Sequence, residues 1–123
     1  MAQMNKPIGI DYDNRRFAGA ANGGYGDFTQ QTAFHYRQEG AVVWGTYEGG
    51  GVLFGTLIAT INESGCLEMY WQHVSREREL KAGTCLSVPE TLADGRLRLH
   101  QVWCATTGGQ AEGTSTIEEI QSP

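Results

Sequence analysis

The stretch from Val52 to Val74 constrains the fold more than any other part of the chain. It reads VLFGTLIATI, then the turn NESG, then CLEMYWQHV. Ten residues rich in β-branched and apolar types meet nine more through a turn containing Asn, Ser and Gly, the sequence form of a β-hairpin. A two-stranded ribbon is marginal by itself in water, so its neighbours have to be strands that pair with it.

The remaining chain punctuates itself accordingly. Arg15 to Ala20 (RRFAGA) is a short strand candidate, followed by the glycine-rich loop NGGYGD. Thr29 to Gln38 (TQQTAFHYRQ) alternates, Glu39-Gly40 supplies a two-residue turn, and Ala41 to Tyr47 (AVVWGTY) makes the next strand, closed by EGGG. After Val74 the charged turn SRERE leads into Leu80 to Ser87 (LKAGTCLS), which Pro89 is expected to end by removing a backbone donor. Asp94-Gly95 is a turn dipeptide, and Arg96 to Ala105 (RLRLHQVWCA) alternates most clearly of all. Beyond the loop TTGGQAEG, Thr114 to Ile120 (TSTIEEI) is the last strand. Eight candidates about ten residues apart, with no helical periodicity beyond about two turns, make the chain all-β. Short turns make a meander, and eight strands remove their exposed edges by closing into an antiparallel up-and-down β-barrel. A two-sheet sandwich is the alternative. Glycines inside strands, at Gly45, Gly55 and Gly83, suit the curvature a barrel needs.

At 123 residues the chain is expected to form one domain over 13–120, with a flexible leader over 1–12 and a short tail over 121–123. A net charge of −5, without a Lys/Arg stripe, argues against nucleic acid as a partner. No apolar run approaches the roughly 18 residues of a membrane span, and MAQMNKPIG lacks a signal-peptide core, so the expected location is soluble and cytoplasmic. Cys66, Cys85 and Cys104 lie outside CxxC spacing and read as free thiols behaving as small apolar residues. Neither they nor the histidines have metal-ligand spacing, and no cofactor is implied.

Even-length turns assign faces, because ladder partners point to the same side. Carried through Glu39-Gly40, EGGG and NESG, this rule gathers Phe34, Tyr36, Gln38, Val43, Tyr47, Phe54, Thr56, Ile58, Leu67, Met69, Trp71 and His73 on one side, taken as the lumen. Leu97, Leu99, Gln101 and Trp103 join them from the seventh strand. The opposite side carries Trp44, Leu53 and Leu57, and apolar residues exposed there would mark a homodimer contact.

Within the lumen His73 is the proton-transfer candidate, beside Trp71 as a stacking surface. His35 and His100 point outward by the same parity. Ser87 and Ser115 lack a nucleophile elbow or paired base. Adjacent strand residues alternate, so one of Glu118 and Glu119 faces inward; Glu119 is taken as the acid/base candidate, with pairing to an arginine as the structural alternative.

The run FHYRQEGAVVWGTYEGGGVLFGTL, then LKAGTCLSVPETLADGRLRLHQVW, then GTSTIEEI resembles a family of short bacterial proteins labelled N-acetylglutamate synthase, from Ile10 to Ile120. The positions that carry the resemblance include Thr32, Phe34, Tyr36, Gln38, Tyr47, Gly55, Gly83, Cys85, Ser87, Trp103, Gly113, Ser115 and Glu119. Gln101 stands where the family has Glu, and Ala105 where it has a second Trp. The label implies acetyl transfer. In the usual acetyltransferase fold that reaction relies on a glycine-rich pyrophosphate loop at a helix N-terminus, whereas EGGG and NGGYG both sit between strands.

The residues themselves point to a calycin-like barrel, in the style of lipocalins and avidins, that binds a small, partly apolar molecule. Phe34, Tyr36, Gln38, Tyr47, Phe54, Met69, Trp71, His73, Gln101 and Trp103 are the expected ligand-binding residues. The alternative is a small barrel enzyme, an isomerase, cyclase or hydrolase, using His73 and Glu119 for proton transfer.

Overall fold

The computed structural model describes residues 9–20, 27–107 and 112–120. Eight strands follow one another around a closed antiparallel barrel: β1 (Arg15–Gly19), β2 (Ala33–Glu39), β3 (Val42–Gly49), β4 (Val52–Ile61), β5 (Leu67–Ser75), β6 (Leu80–Thr91), β7 (Leu97–Ala105) and β8 (Glu112–Glu119). Closure is made by β8 on β1, through Phe17–Glu119, Ala18–Glu118 and Gly19–Ile117. The barrel is thus the expected architecture rather than a sandwich, and no strand edge between consecutive neighbours is left unpaired.

Strand direction alternates, so the ends differ in content. Arg15, the Gly40–Ala41 turn, the turns at 62–66 and 92–96, and Glu119 lie at one end, the base. Residues 27–32, the Gly49–Val52 connection and the turn at 76–79 lie at the other, the mouth. Tyr12, expected in a flexible leader, is instead 1% exposed, packs against Tyr36 at the base, and donates its backbone N–H to Gln38 Oε1 at 2.7 Å. The rest of that leader, residues 1–8, and the tail over 121–123 lie outside the described residues.

Several local expectations need correction. The second strand begins at Ala33, because Thr29 to Thr32 form a turn closed by Thr32 N–H to Thr29 O, with the Thr32 hydroxyl donating to Gly49 O. The first hairpin turns at Gly40-Ala41, pairing Gln38 with Val43; this two-residue shift keeps every side chain on its expected side. β4 does change sides. A bulge at Leu53 sets Val52 opposite Gly49 and Ser75, but Gly55 opposite Tyr47 and His73. Phe54, Thr56 and Ile58 therefore face outward and Leu57 inward: Phe54 is 51% and Ile58 55% exposed, while Leu57 is 5%. The connection to β5 has five residues rather than four, with Asn62 Oδ1 accepting from Ser64 and Cys66 N–H, and this second odd step returns β5 to the expected parity.

Pro89 does not end β6. Leu92 N–H donates to Arg96 O, so even-numbered residues of β6 aim their donors at β7 and Pro89 aims the other way, where the β5 ladder has already stopped at Leu67–Ser87. A missing N–H costs nothing there.

The core is the barrel interior. At the base and middle it is filled by Phe17, Tyr36, Val43, Leu57, Leu67, Met69, Leu97, Leu99 and Ile117, all buried. Gly45, Gly55, Gly83 and Gly113 stand opposite Tyr36, Tyr47, Trp71 and Trp103 respectively on the neighbouring strand. A Cβ on Gly55 would meet the Tyr47 ring, and one on Gly83 would stand 2.6 Å from Trp71 Cζ2. Gly55, Gly83 and Gly113 thus seat the large aromatics, whereas a Cβ on Gly45 would meet His35 O, so Gly45 serves the close approach of β2.

Candidate functional site

At the mouth, the inward positions of β2, β3, β5 and β7 bring together Phe34, Tyr47, Trp71, His73 and Trp103. Trp71 and His73, two apart on β5, stack with ring centroids 5.5 Å apart and an interplanar angle of 18°, and Trp103 meets Trp71 edge-on at 6.3 Å. Phe34 stacks on Tyr47 at 5.1 Å. Into this box projects Phe28, from the connection between β1 and β2, with centroids 5.6 to 6.5 Å from His73, Tyr47, Phe34, Trp71 and Trp103.

Beneath the rings lies a polar row. Ser87, Gln101 and Ser115 are ladder partners on β6, β7 and β8, all inward and buried. Ser115 Oγ donates to Gln101 Oε1 at 3.3 Å. Among the described residues Ser87 Oγ has no hydrogen-bond partner, and the Tyr36 hydroxyl faces Gln101 without closing a hydrogen bond of normal geometry. Burial, with Cys85 and Tyr12 nearby, pushes the Tyr36 phenol well above its ordinary range, so it is a donor at any physiological pH. Burial likewise pushes the Cys85 thiol up to about 12, keeping it protonated. The space left between Tyr36, Cys85 and Gln101 and the rings is about 20 Å3, enough for about one water.

His73 is held from both sides. Its Nε2 lies 2.9 Å from Asp27 Oδ2 and its Nδ1 3.0 Å from Tyr47 Oη. Tyr47 Oη is also 3.2 Å from Gln72 O, and its single proton serves one of the two at a time. Asp27 Oδ2 is shared with Lys81 Nζ at 3.1 Å, and Lys81 is the ladder partner of His73 on β6. Burial works against the ionised Asp27, but hydrogen bonds from His73 and Lys81, with their charge, outweigh it and hold the carboxyl below its ordinary range. Both imidazole nitrogens are thus occupied, and neither is offered to the lumen unless Asp27 or Tyr47 moves.

The chain belongs to the avidin-like protein family. The match of the family model spans residues 10–120, nearly the whole chain. Comparison with curated proteins and with solved structures gave no significant match.

Of the expected site residues, this avidin-like barrel gathers Phe34, Tyr36, Tyr47, Met69, Trp71, His73, Gln101 and Trp103 around one lumen. Phe54 is not among them, since the Leu53 bulge turns it outward. Gln38 faces the base, where its amide is used by Tyr12 N–H and Gly40 O. Glu119 has inward parity but also sits at the base, accepting from Arg15 Nη1 at 2.7 Å and Leu97 N–H at 3.1 Å. His73 is at the mouth, so the two proposed proton-transfer groups occupy opposite ends. Outside the barrel, His35 bonds Asn14 and His100 bonds Glu90. Asp27 and Phe28 were not anticipated: they close the run NGGYGDF, whose glycines read as a loop, and nothing local says that the loop's end enters the barrel.

Proposed function

We propose that the lumen binds a small, partly apolar molecule, with its ring system among Trp71, Trp103, Tyr47 and Phe34 and its polar edge on Tyr36, Ser87 and Gln101. Avidin-like barrels are a family that binds small ligands such as biotin. The observation that carries the reading for this chain is the pair of buried hydroxyls, Ser87 and Tyr36, that make no hydrogen bond of normal geometry beneath an aromatic box. Buried polar groups are nearly always satisfied, and two such groups below one set of aromatic rings suit a bound polar molecule. The ligand does not fit while Phe28 fills the box, so binding requires its ring to withdraw. Acetyl transfer, implied by the resemblance to proteins labelled N-acetylglutamate synthase, has no part in this reading, which rests on a packed aromatic lumen rather than a phosphate cradle.

The test is a titration of the full chain with small heterocycles, biotin among them, followed by tryptophan emission and melting temperature, with native mass spectrometry of freshly purified protein. A binder should perturb Trp71 and Trp103 emission and raise the melting temperature, and Gln101→Leu should weaken it by about tenfold. If no compound binds and no molecule is retained, the reading fails.

A second observation favours self-association. The contact expected through Trp44, Leu53 and Leu57 loses Leu57 to the core, but a broader outward surface replaces it. Trp44, Ile58, Tyr70, Thr84 and Cys104 form one cross-strand row, and Val42, Thr60, Glu68, Leu86 and Val102 the next. Ile58, Tyr70 and Val102 are 55%, 69% and 56% exposed, and Glu68 is the only charged residue in either row. A face with one charge in ten positions, on a chain of net charge −5, offers little to a charged partner, whereas a second copy brings an equally apolar surface. A stable interface covers about 800 Å2 per partner, and two strand rows across five strands suit that size.

A further inference from the structure

The segment that closes the mouth is built like a ligand. Phe28 supplies one aromatic ring in contact with five rings of the wall, and Asp27 supplies one carboxylate on Lys81 and His73. The backbone beneath them is fastened separately: Gly51 N–H donates to Asp27 O at 2.9 Å, and the turn from Thr29 to Thr32 is pinned to Gly49. A Cβ on Gly51 would stand 2.9 Å from Asp27 Cα, so the glycine connection is the seat on which this segment rests. The two side chains can therefore leave the lumen by rotating about their own side-chain bonds while the turn keeps its place.

What their departure exposes sets the chemistry of what replaces them. Without Asp27, the mouth holds the half-exposed Lys81 ammonium, with Glu79 4.0 Å away, and a buried imidazole donor facing an aromatic box, and a buried donor left unpaired is costly. Replacing one carboxylate by another restores the charge balance; a neutral ring leaves His73 unpaired and Lys81 with the more distant Glu79, and a cation opposes them. His73 also fixes the spacing. Its ring lies 5.6 Å from the Phe28 centroid and its Nε2 2.9 Å from Asp27 Oδ2, so ring and carboxylate both meet the one imidazole.

Building on the lumen as a ligand site, we propose that Asp27 and Phe28 are an internal competitor for it, and that the molecule they compete with is a small aromatic carboxylate. Its ring takes the place of Phe28 and its acid group the place of Asp27 on Lys81 and His73.

The experiment compares phenylacetate and 3-phenylpropionate with their amides, by calorimetry and ligand-observed NMR, on the wild-type chain, Phe28→Ala and Lys81→Met. Phe28→Ala removes the ring half of the competitor and should bind the carboxylates about tenfold more tightly than wild type, and about tenfold more tightly than it binds the amides. Lys81→Met should erase the preference for carboxylate over amide while leaving amide binding in place. Asp27→Asn, which loosens the contact without opening a cavity, should shift carboxylate affinity in the same direction and serves if Phe28→Ala does not fold. Equal gains for amide and carboxylate would overturn the aromatic-carboxylate assignment and leave the lumen site standing. No binding of any ring compound to folded Phe28→Ala and Asp27→Asn would overturn both.

Discussion

Gly113 and Trp103 are ladder partners on β8 and β7, and the indole lies against the glycine so closely that a Cβ there would stand 2.7 Å from its Cζ2. The nearest atoms to that position all belong to this one ring. Gly113→Ala should therefore push Trp103 into a lumen that has room for little more than a water, at a cost of about 1–3 kcal/mol. Chemical denaturation measures it. Because the clash is with a side chain, Trp103→Leu in the Gly113→Ala background should recover part of the loss, and a double mutant no better than the sum of its parts would show that the ring is not the obstacle.

Asp27 ties the mouth together in a pH-dependent way. Its carboxyl is held below its ordinary range when folded, so the contact contributes fully above the unfolded value, about pH 4, and is lost as the pH falls from there through the folded value. Asp13, Glu90 and Asp94 are held low as well, by hydrogen bonds to Gln38 and Arg37, to His100, and to Arg96, so the wild-type slope in acid has several sources. The difference between wild type and Asp27→Asn isolates one of them. Denaturation midpoints measured from about pH 5 down to about pH 2 should show that difference shrinking as the acid protonates Asp27. A difference independent of pH would mean the carboxylate charge does not hold the mouth.

How much of this site could be read in the chain depends on the distance over which each part is decided. The alternation in RLRLHQVWCA correctly placed Leu97, Leu99, Gln101 and Trp103 inside, because a polar face distinguished the other side. VLFGTLIATI is apolar on both faces, so alternation carried no information about which face went in, and the extra residue at Leu53 reversed Phe54 and Leu57 unnoticed. Met69, Trp71 and His73 came out right because the five-residue turn cancelled the bulge. The partners of Glu119 exist only once β8 closes on β1, which brings Arg15 to it across 104 residues of sequence. Asp27 reaches His73 across 46 residues in the same manner, from a segment whose glycines marked only a turn.

The Ser87 hydroxyl separates stability from binding. It is buried without a partner among the described residues, and an unsatisfied buried hydroxyl is a cost that removing it relieves. Ser87→Ala should leave the ligand-free protein as stable or more stable by up to about 1 kcal/mol, whereas most buried substitutions destabilise. The same variant should lose affinity for any molecule whose polar edge sits on Gln101. Melting temperature without ligand, set beside a titration of the ligand found for wild type, tests both halves. A clear fall in ligand-free stability would show that the hydroxyl is satisfied in solution, by water or by a relaxed neighbour.

Tyr70 is the most exposed aromatic on the outward rows of β3 to β7, at 69%, with Ile58 its ladder partner on β4 and Thr84 on β6. If a second copy covers this face, a negative charge at its centre has to be desolvated with no counter-charge on either row, where Glu68 carries the same sign. Tyr70→Glu should then convert a dimer to a monomer in light scattering. Arg16→Glu, exposed on β1 opposite His35 and outside those rows, should leave the dimer intact. Neither substitution touches an inward position, so lumen binding should survive in both. A wild-type chain that remains a monomer at high concentration would remove the second copy from this face.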